Sequence, residues 1–128
     1  GAVSLLVAAI GIANTMMMSI YERTKEIGII KVLGCSLKNI RQMFLMEAAF
    51  IGLLGGTIGN ILSFLMSFAI NKVVSGEMIM GVEANISYIP LWLVLASLGF
   101  AALVGILAGY FPARRAMKLS ALEAIRNN

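Results

Sequence analysis

Three charge-free runs limit what this chain can fold into. They extend from Gly1 to Tyr21, from Ala48 to Asn71 and from Ala84 to Ala113, and Glu22, Glu47, Lys72, Glu83 and Arg114 stand at their borders. About 20 apolar residues carry a helix across the hydrocarbon core of a bilayer, so each run is long enough to span one. Hydrophobic residues make up 60% of the 128 and charged residues 12%, about half the charged share of an ordinary soluble domain. The fold expected is all-α: an integral membrane bundle of three transmembrane helices, at about 1–21, 44–71 and 89–111, with an amphipathic helix between the first and second. Pro90 is expected at the start of the third, since a first helical turn tolerates proline.

The basic residues orient the bundle. Arg23, Lys25, Lys31, Lys38 and Arg41 fall in segment 22–41, and Arg114, Arg115, Lys118 and Arg126 in the tail 112–128, whereas loop 72–88 holds only Lys72. By the positive-inside rule the first two segments are cytoplasmic and the loop is extracytoplasmic, with the N-terminus outside and the C-terminus inside. The net charge of +4 thus reads as topology and not as a nucleic-acid surface. No positively charged leader precedes the first run, so an outside N-terminus leads us to expect an earlier span upstream.

Chemistry of the chain's own is not expected. There is no histidine and one cysteine, Cys35, read as a free thiol in a reducing compartment, so neither a disulfide framework nor a Cys/His metal site can be assembled. No carboxylate pair or base-activated nucleophile is evident, and there is no phosphate-binding G-x-x-x-x-G-K-[ST] loop.

Within the runs, small residues recur at four-residue spacing, which brings them onto one helix face. Gly52 pairs with Gly56, Gly55 with Gly59 and Ser63 with Ser67 in the second run; Ser97, Ala101, Gly105, Gly109 and Ala113 form a ridge in the third. Such ridges let helix backbones approach closely in lipid, so Gly52, Gly55, Gly56, Gly59, Gly105 and Gly109 are expected at helix contacts. Asn14 and Asn60 are expected to hydrogen-bond across helices. Methionines 16–18, 43 and 46 read as apolar filling.

Segment 22–41 is the part best placed to be pushed or pulled from outside the membrane. Thr24 is expected to cap a short helix over Lys25–Leu33, Gly34 to stop it in the left-handed conformation, and Ser36 to cap the helix that runs on into the second span. Ile27, Ile30 and Gly34 share one face and Glu26, Ile29 and Leu33 another, leaving apolar surface after one side is covered. Gly28 weakens the helix by about 1 kcal/mol relative to alanine, which makes sense if something approaches its backbone. The residues alone allow two readings: a mechanical coupling element, or an interfacial loop whose Lys and Arg meet lipid headgroups.

The stretch ERTKEIGIIKVLGCSLKNIRQMFLMEA resembles the signature after the second transmembrane helix of the FtsX-like permease family, the MacB-type, or type VII, ABC transporter permeases. The tail GYFPARRAMKLSALEAIRNN resembles the family's closing motif, a Tyr-Pro-Ala-Arg-Arg type turn followed by a Pro-x-Glu-Ala-Leu/Ile-Arg type helix. Phe111 stands where Tyr is common, and Ser120-Ala121 where Asp-Pro is frequent.

The resemblance implies spans two to four of a four-span permease, with a large extracytoplasmic domain before them, in a prokaryotic cytoplasmic membrane. It implies a dimer with a second permease copy, a partner ABC ATPase that holds the ATP and Mg, and room for an extracytoplasmic adaptor; no cofactor is bound by this chain. Arg23, Lys25, Glu26, Ile27, Gly28, Ile29, Lys31, Val32, Leu33 and Gly34 match the coupling helix that docks on the ATPase, and Glu47 matches a glutamate consistent with bracing it. The function implied is mechanotransmission, with ATP hydrolysis driving export of a peptide, drug or lipoprotein. Regulation of cell-wall hydrolases and a small ATPase-independent transporter or assembly protein are the alternatives. Pro112, Arg114 and Arg115 read as a membrane-exit anchor among headgroups.

Overall fold

A computed structural model describes residues 1–76 and 87–126. Every regular element among them is helical: α1 (Ala2–Glu22), α2 (Thr24–Val32), α3 (Leu37–Gly76) and α4 (Leu91–Arg126). α1 and long stretches of α3 and α4 are apolar enough to cross a membrane, as the three charge-free runs require. At 1.5 Å per residue α1 is roughly 31 Å long, close to the thickness of a hydrocarbon core, whereas α3 extends for roughly 60 Å and must project well beyond it.

The two long helices form the main contact, α1 lies on α4, and α2 touches both α1 and α4. α3 and α4 run antiparallel, with their small residues in register. Asn60 meets Ser97, Gly56 meets Ala101, Gly52 faces Ala101 and Gly105, and Ala48 faces Gly105 and Gly109. Each four-residue step along one helix is answered by a four-residue step back along the other.

Burial is concentrated at one end. Met16 and Ile20 of α1, Ile27 of α2, Ile40, Phe44 and Ala48 of α3 and Ala113 of α4 make one cluster, with Ile12, Ile30 and Ile51 packed around it. The rest of the bundle exposes its large apolar side chains, among them Leu54, Ile58, Leu65, Leu95 and Leu103, as a surface meant for lipid does. Exposed hydroxyls on these faces are satisfied locally: Thr57 donates to the carbonyl of Leu53 (2.8 Å) and Thr15 to that of Gly11 (3.0 Å).

Pro90 stands at the start of α4 as expected, its carbonyl accepting from the N–H groups of Leu93 (3.0 Å) and Val94 (3.4 Å). Two boundaries differ from expectation. The turn expected at Pro112 is absent: α4 continues through it to Arg126. Proline there forfeits the bond its missing N–H would have given the Ala108 carbonyl and sets its ring against that carbonyl, a cost offset by the burial of Pro112 and Ala113. Of loop 72–88, residues 72–76 belong to α3, and 77–86 lie outside the described residues.

Candidate coupling site

α2 is set by its two ends. At its C-terminus Gly34 takes φ +90°, its N–H donates to the carbonyl of Lys31 (3.1 Å) and that of Cys35 to Ile30 (3.2 Å). This pair of bonds around a left-handed glycine is a Schellman motif, which satisfies carbonyls the helix leaves unpaired. Ser36 then starts α3 by accepting the N–H of Asn39 on its hydroxyl (3.4 Å). The expected stop at Gly34 and cap at Ser36 are therefore present.

Thr24 does something else. It is the first residue of α2, and its hydroxyl donates back to the carbonyls of Ile20 and Tyr21, each at 3.0 Å. α1 and α2 abut with only Arg23 between them, so the last carbonyls of α1 are nearer than the amides of α2 that an N-cap would serve.

Two faces of α2 have opposite fates. Ile27 is buried in the common cluster and Ile30 packs against it, fixing α2 to all three long helices. On the other side Ile29, Val32 and Leu33 are 60%, 85% and 79% exposed, with Lys25 and Glu26 also outward. A Cβ placed on Gly28 would meet nothing within 4 Å. Arg23 is exposed and Lys31 half-buried, so the helix presents an apolar patch edged by charge.

Glu47 is half-buried and accepts the Ser19 hydroxyl (3.4 Å). Its partner thus lies on α1, beside the junction with α2, and not on α2 itself.

The six singled-out glycines divide. A Cβ on Gly52 would overlap the carbonyl oxygen of Ala101, and one on Gly105 that of Ala48. A Cβ on Gly56 would come within 2.7 Å of the Ala101 Cβ, and one on Gly109 would strike the Ala48 Cβ. Gly55 and Gly59 meet nothing within 4 Å, because they lie off the ridge that α4 covers. Pro112 and Ala113 are buried, whereas Arg114 and Arg115 are exposed.

Two polar junctions add to the α3–α4 seam. Asn60 Nδ2 donates to Ser97 Oγ (2.9 Å), freeing the Ser97 proton for the Val94 carbonyl (2.8 Å). Near the opposite end from α2, Asn71 clasps the backbone of Ser87: its Nδ2 donates to the Ser87 carbonyl (2.9 Å) and its Oδ1 accepts the Ser87 N–H (3.0 Å). The Ser67 hydroxyl donates to Ser87 Oγ (2.7 Å). The Asn71–Ser87 clasp was not foreseen from sequence; a Ser67/Asn71 pair one helical turn apart was its only signal.

Residues 1–121 match the family described as FtsX-like permease C-terminal. Over 98% of its length the chain is 44% identical to an uncharacterised ABC transporter permease of Methanocaldococcus jannaschii and 42% identical to the ABC transporter permease YtrF of Bacillus subtilis, covering 31% and 30% of those proteins. It is 38% identical, again over 98% of its length, to the macrolide export ATP-binding/permease protein MacB of Bdellovibrio bacteriovorus, of which it covers 18%. The chain thus spans about a third or less of the length of the curated relatives it matches. The match covers nearly the whole chain: the chain belongs to the FtsX-like permease family.

Proposed function

We propose that this chain is the membrane part of an ABC transporter permease in which α2 receives the force of a partner ATPase and passes it to the spans. One observation carries the reading: α2 buries Ile27 in the cluster that joins α1, α3 and α4 while leaving Ile29, Val32 and Leu33 uncovered. A helix merely lying on a bilayer has no need of that inner attachment. A helix that must move three spans together does. The outer patch offers the partner an apolar hold, and the basic and acidic residues around it, Arg23, Lys25 and Glu26, set its orientation. ATP and Mg belong to the partner, and the work is done on the far side of the membrane, as in export.

The test is co-purification of the full-length protein with its ATPase, comparing wild type with Gly28→Trp and Leu33→Asp. A Cβ at Gly28 meets nothing within 4 Å and Leu33 is 79% exposed, so both variants are expected to leave the bundle folded. The expected result is normal membrane insertion with loss of the ATPase or of its coupled activity. Unchanged binding and activity in both variants would show that α2 is an interfacial helix only.

A further inference from the structure

At the end where α2 sits, α1 and α4 part to leave a groove of about 690 Å³, open along one side. Its walls are Ala13, Met17 and Phe111, and its rim is Arg114, Arg115 and Lys118. Asn14 also lines it. Among the described residues no acidic side chain lines it. The volume falls in the usual range for small-molecule sites, roughly 300–1,000 Å³.

The height of the groove on α4 identifies what it meets. Tyr88 and Trp92 are exposed at one end of α4 and Tyr110 is partly exposed towards the other. Trp92 and Tyr110 are separated by roughly 27 Å of helix, close to the thickness of a hydrocarbon core, and such aromatic side chains favour the two interfaces. Arg114, Arg115 and Lys118 follow within about two turns, at the level of headgroup phosphates; Phe111 stands beside Tyr110 at the interface, and Met17 and Ala13, next to the Met16 that meets Gly109, lie on the hydrocarbon side.

We propose that this groove holds one anionic glycerophospholipid, its phosphate against Arg114, Arg115 and Lys118 and an acyl chain along Ala13, Met17 and Phe111. The proposal goes beyond the coupling reading and does not rest on it. Charge complementarity selects this occupant: an apolar helix laid in the groove would face three cations, whereas a phospholipid supplies the negative charge and the apolar chain in one molecule. Asn14 is placed to donate to an ester or glycerol oxygen between the two. Basic pockets between transmembrane helices bind such headgroups. The lipid would bridge α1 and α4 where they meet the α2 core, and so tie the coupling end to one leaflet.

The test uses the full-length protein, delipidated and placed in nanodiscs of phosphatidylcholine with a minor share of phosphatidylglycerol, and counts retained lipid by native mass spectrometry. Wild type is compared with Arg114→Gln/Arg115→Gln/Lys118→Gln, with Ala13→Phe, and with Arg23→Gln/Lys25→Gln/Lys31→Gln, which removes as many charges from α2 and the residue that precedes it. Wild type should retain one phosphatidylglycerol in preference to phosphatidylcholine. Each cation near the surface strengthens the attraction about fivefold, so the groove triple variant should hold it roughly a hundredfold more weakly. Ala13→Phe should lower retention without altering charge, and the α2 variant should retain lipid like wild type. Equal loss in both triple variants would mean general attraction to a basic surface, and would overturn the proposal. So would retention insensitive to the groove variants, as expected if another segment or a second copy fills the groove.

Discussion

Gly52 and Gly105 face each other's helix across the α3–α4 seam, and each lies against a backbone carbonyl of the opposite chain segment, Ala101 for one and Ala48 for the other. A backbone cannot turn aside as a flexible side chain can, so any Cβ there must push the helices apart. Gly105→Val should therefore cost about 2–3 kcal/mol, at the upper part of the range for overpacking. Gly59→Val, at a site with open space, should leave the melting temperature of the purified protein nearly unchanged. Equal losses at both positions would show that the seam lies elsewhere. The ridge on α4 was legible from its four-residue repeat alone. Its counterpart on α3 was only half legible, because glycine drew attention to Gly55 and Gly59. Stepping by four from Gly52 and Gly56 leads instead to Ala48 and Asn60, the residues that α4 meets. Periodicity selected the face; the identity of the small residue did not.

α2 is held in place less by its own propensity than by its ends. A helix of nine residues is too short to persist alone, so the Schellman motif at Gly34 and the burial of Ile27 determine whether it forms. Replacing Gly34 by alanine forces a side chain into φ +90° and should cost about 1–2 kcal/mol, seen as a lowered melting temperature. Gly34→Asn should recover much of that loss, because asparagine tolerates the left-handed region. If alanine and asparagine behave alike, the turn has another origin. Gly34 and Ser36 could be read from sequence because each serves its own helix end. Thr24 could not, because its hydroxyl had two sets of backbone groups in reach, and the directness of the α1–α2 junction chose between them. Pro112 misled for a related reason: proline ends helices in general, but here the packed surroundings of Ala113 hold α4 together on either side of it.

The whole molecule is firm at one end and open along the rest. Met16 and Phe44 are fully buried at the α2 end, while the far end is joined by the polar clasps of Asn71 and Ser67 on Ser87 and, midway, by Asn60 on Ser97. Hydrogen bonds between helices in lipid contribute about 0.6 kcal/mol each on average, whereas truncating a buried aromatic costs about 3–5 kcal/mol. Under the coupling function proposed above, the difference in magnitude assigns two roles: the cluster is the part that would transmit, and the far polar bonds are the part that would set register. Phe44→Ala therefore makes the sharper test of the molecule as a lever. In the full-length permease reconstituted with its ATPase, it should leave the ATPase bound, because Ile29, Val32 and Leu33 are untouched, yet uncouple ATP hydrolysis from work across the membrane. Asn60→Ala should lower stability slightly and leave coupling intact. If Phe44→Ala keeps full coupling while Asn60→Ala abolishes it, force runs through the polar seam and not through the buried cluster. Rigidity at the α2 end would then serve assembly alone, and a push on α2 would have to reach the far side by the α3–α4 register.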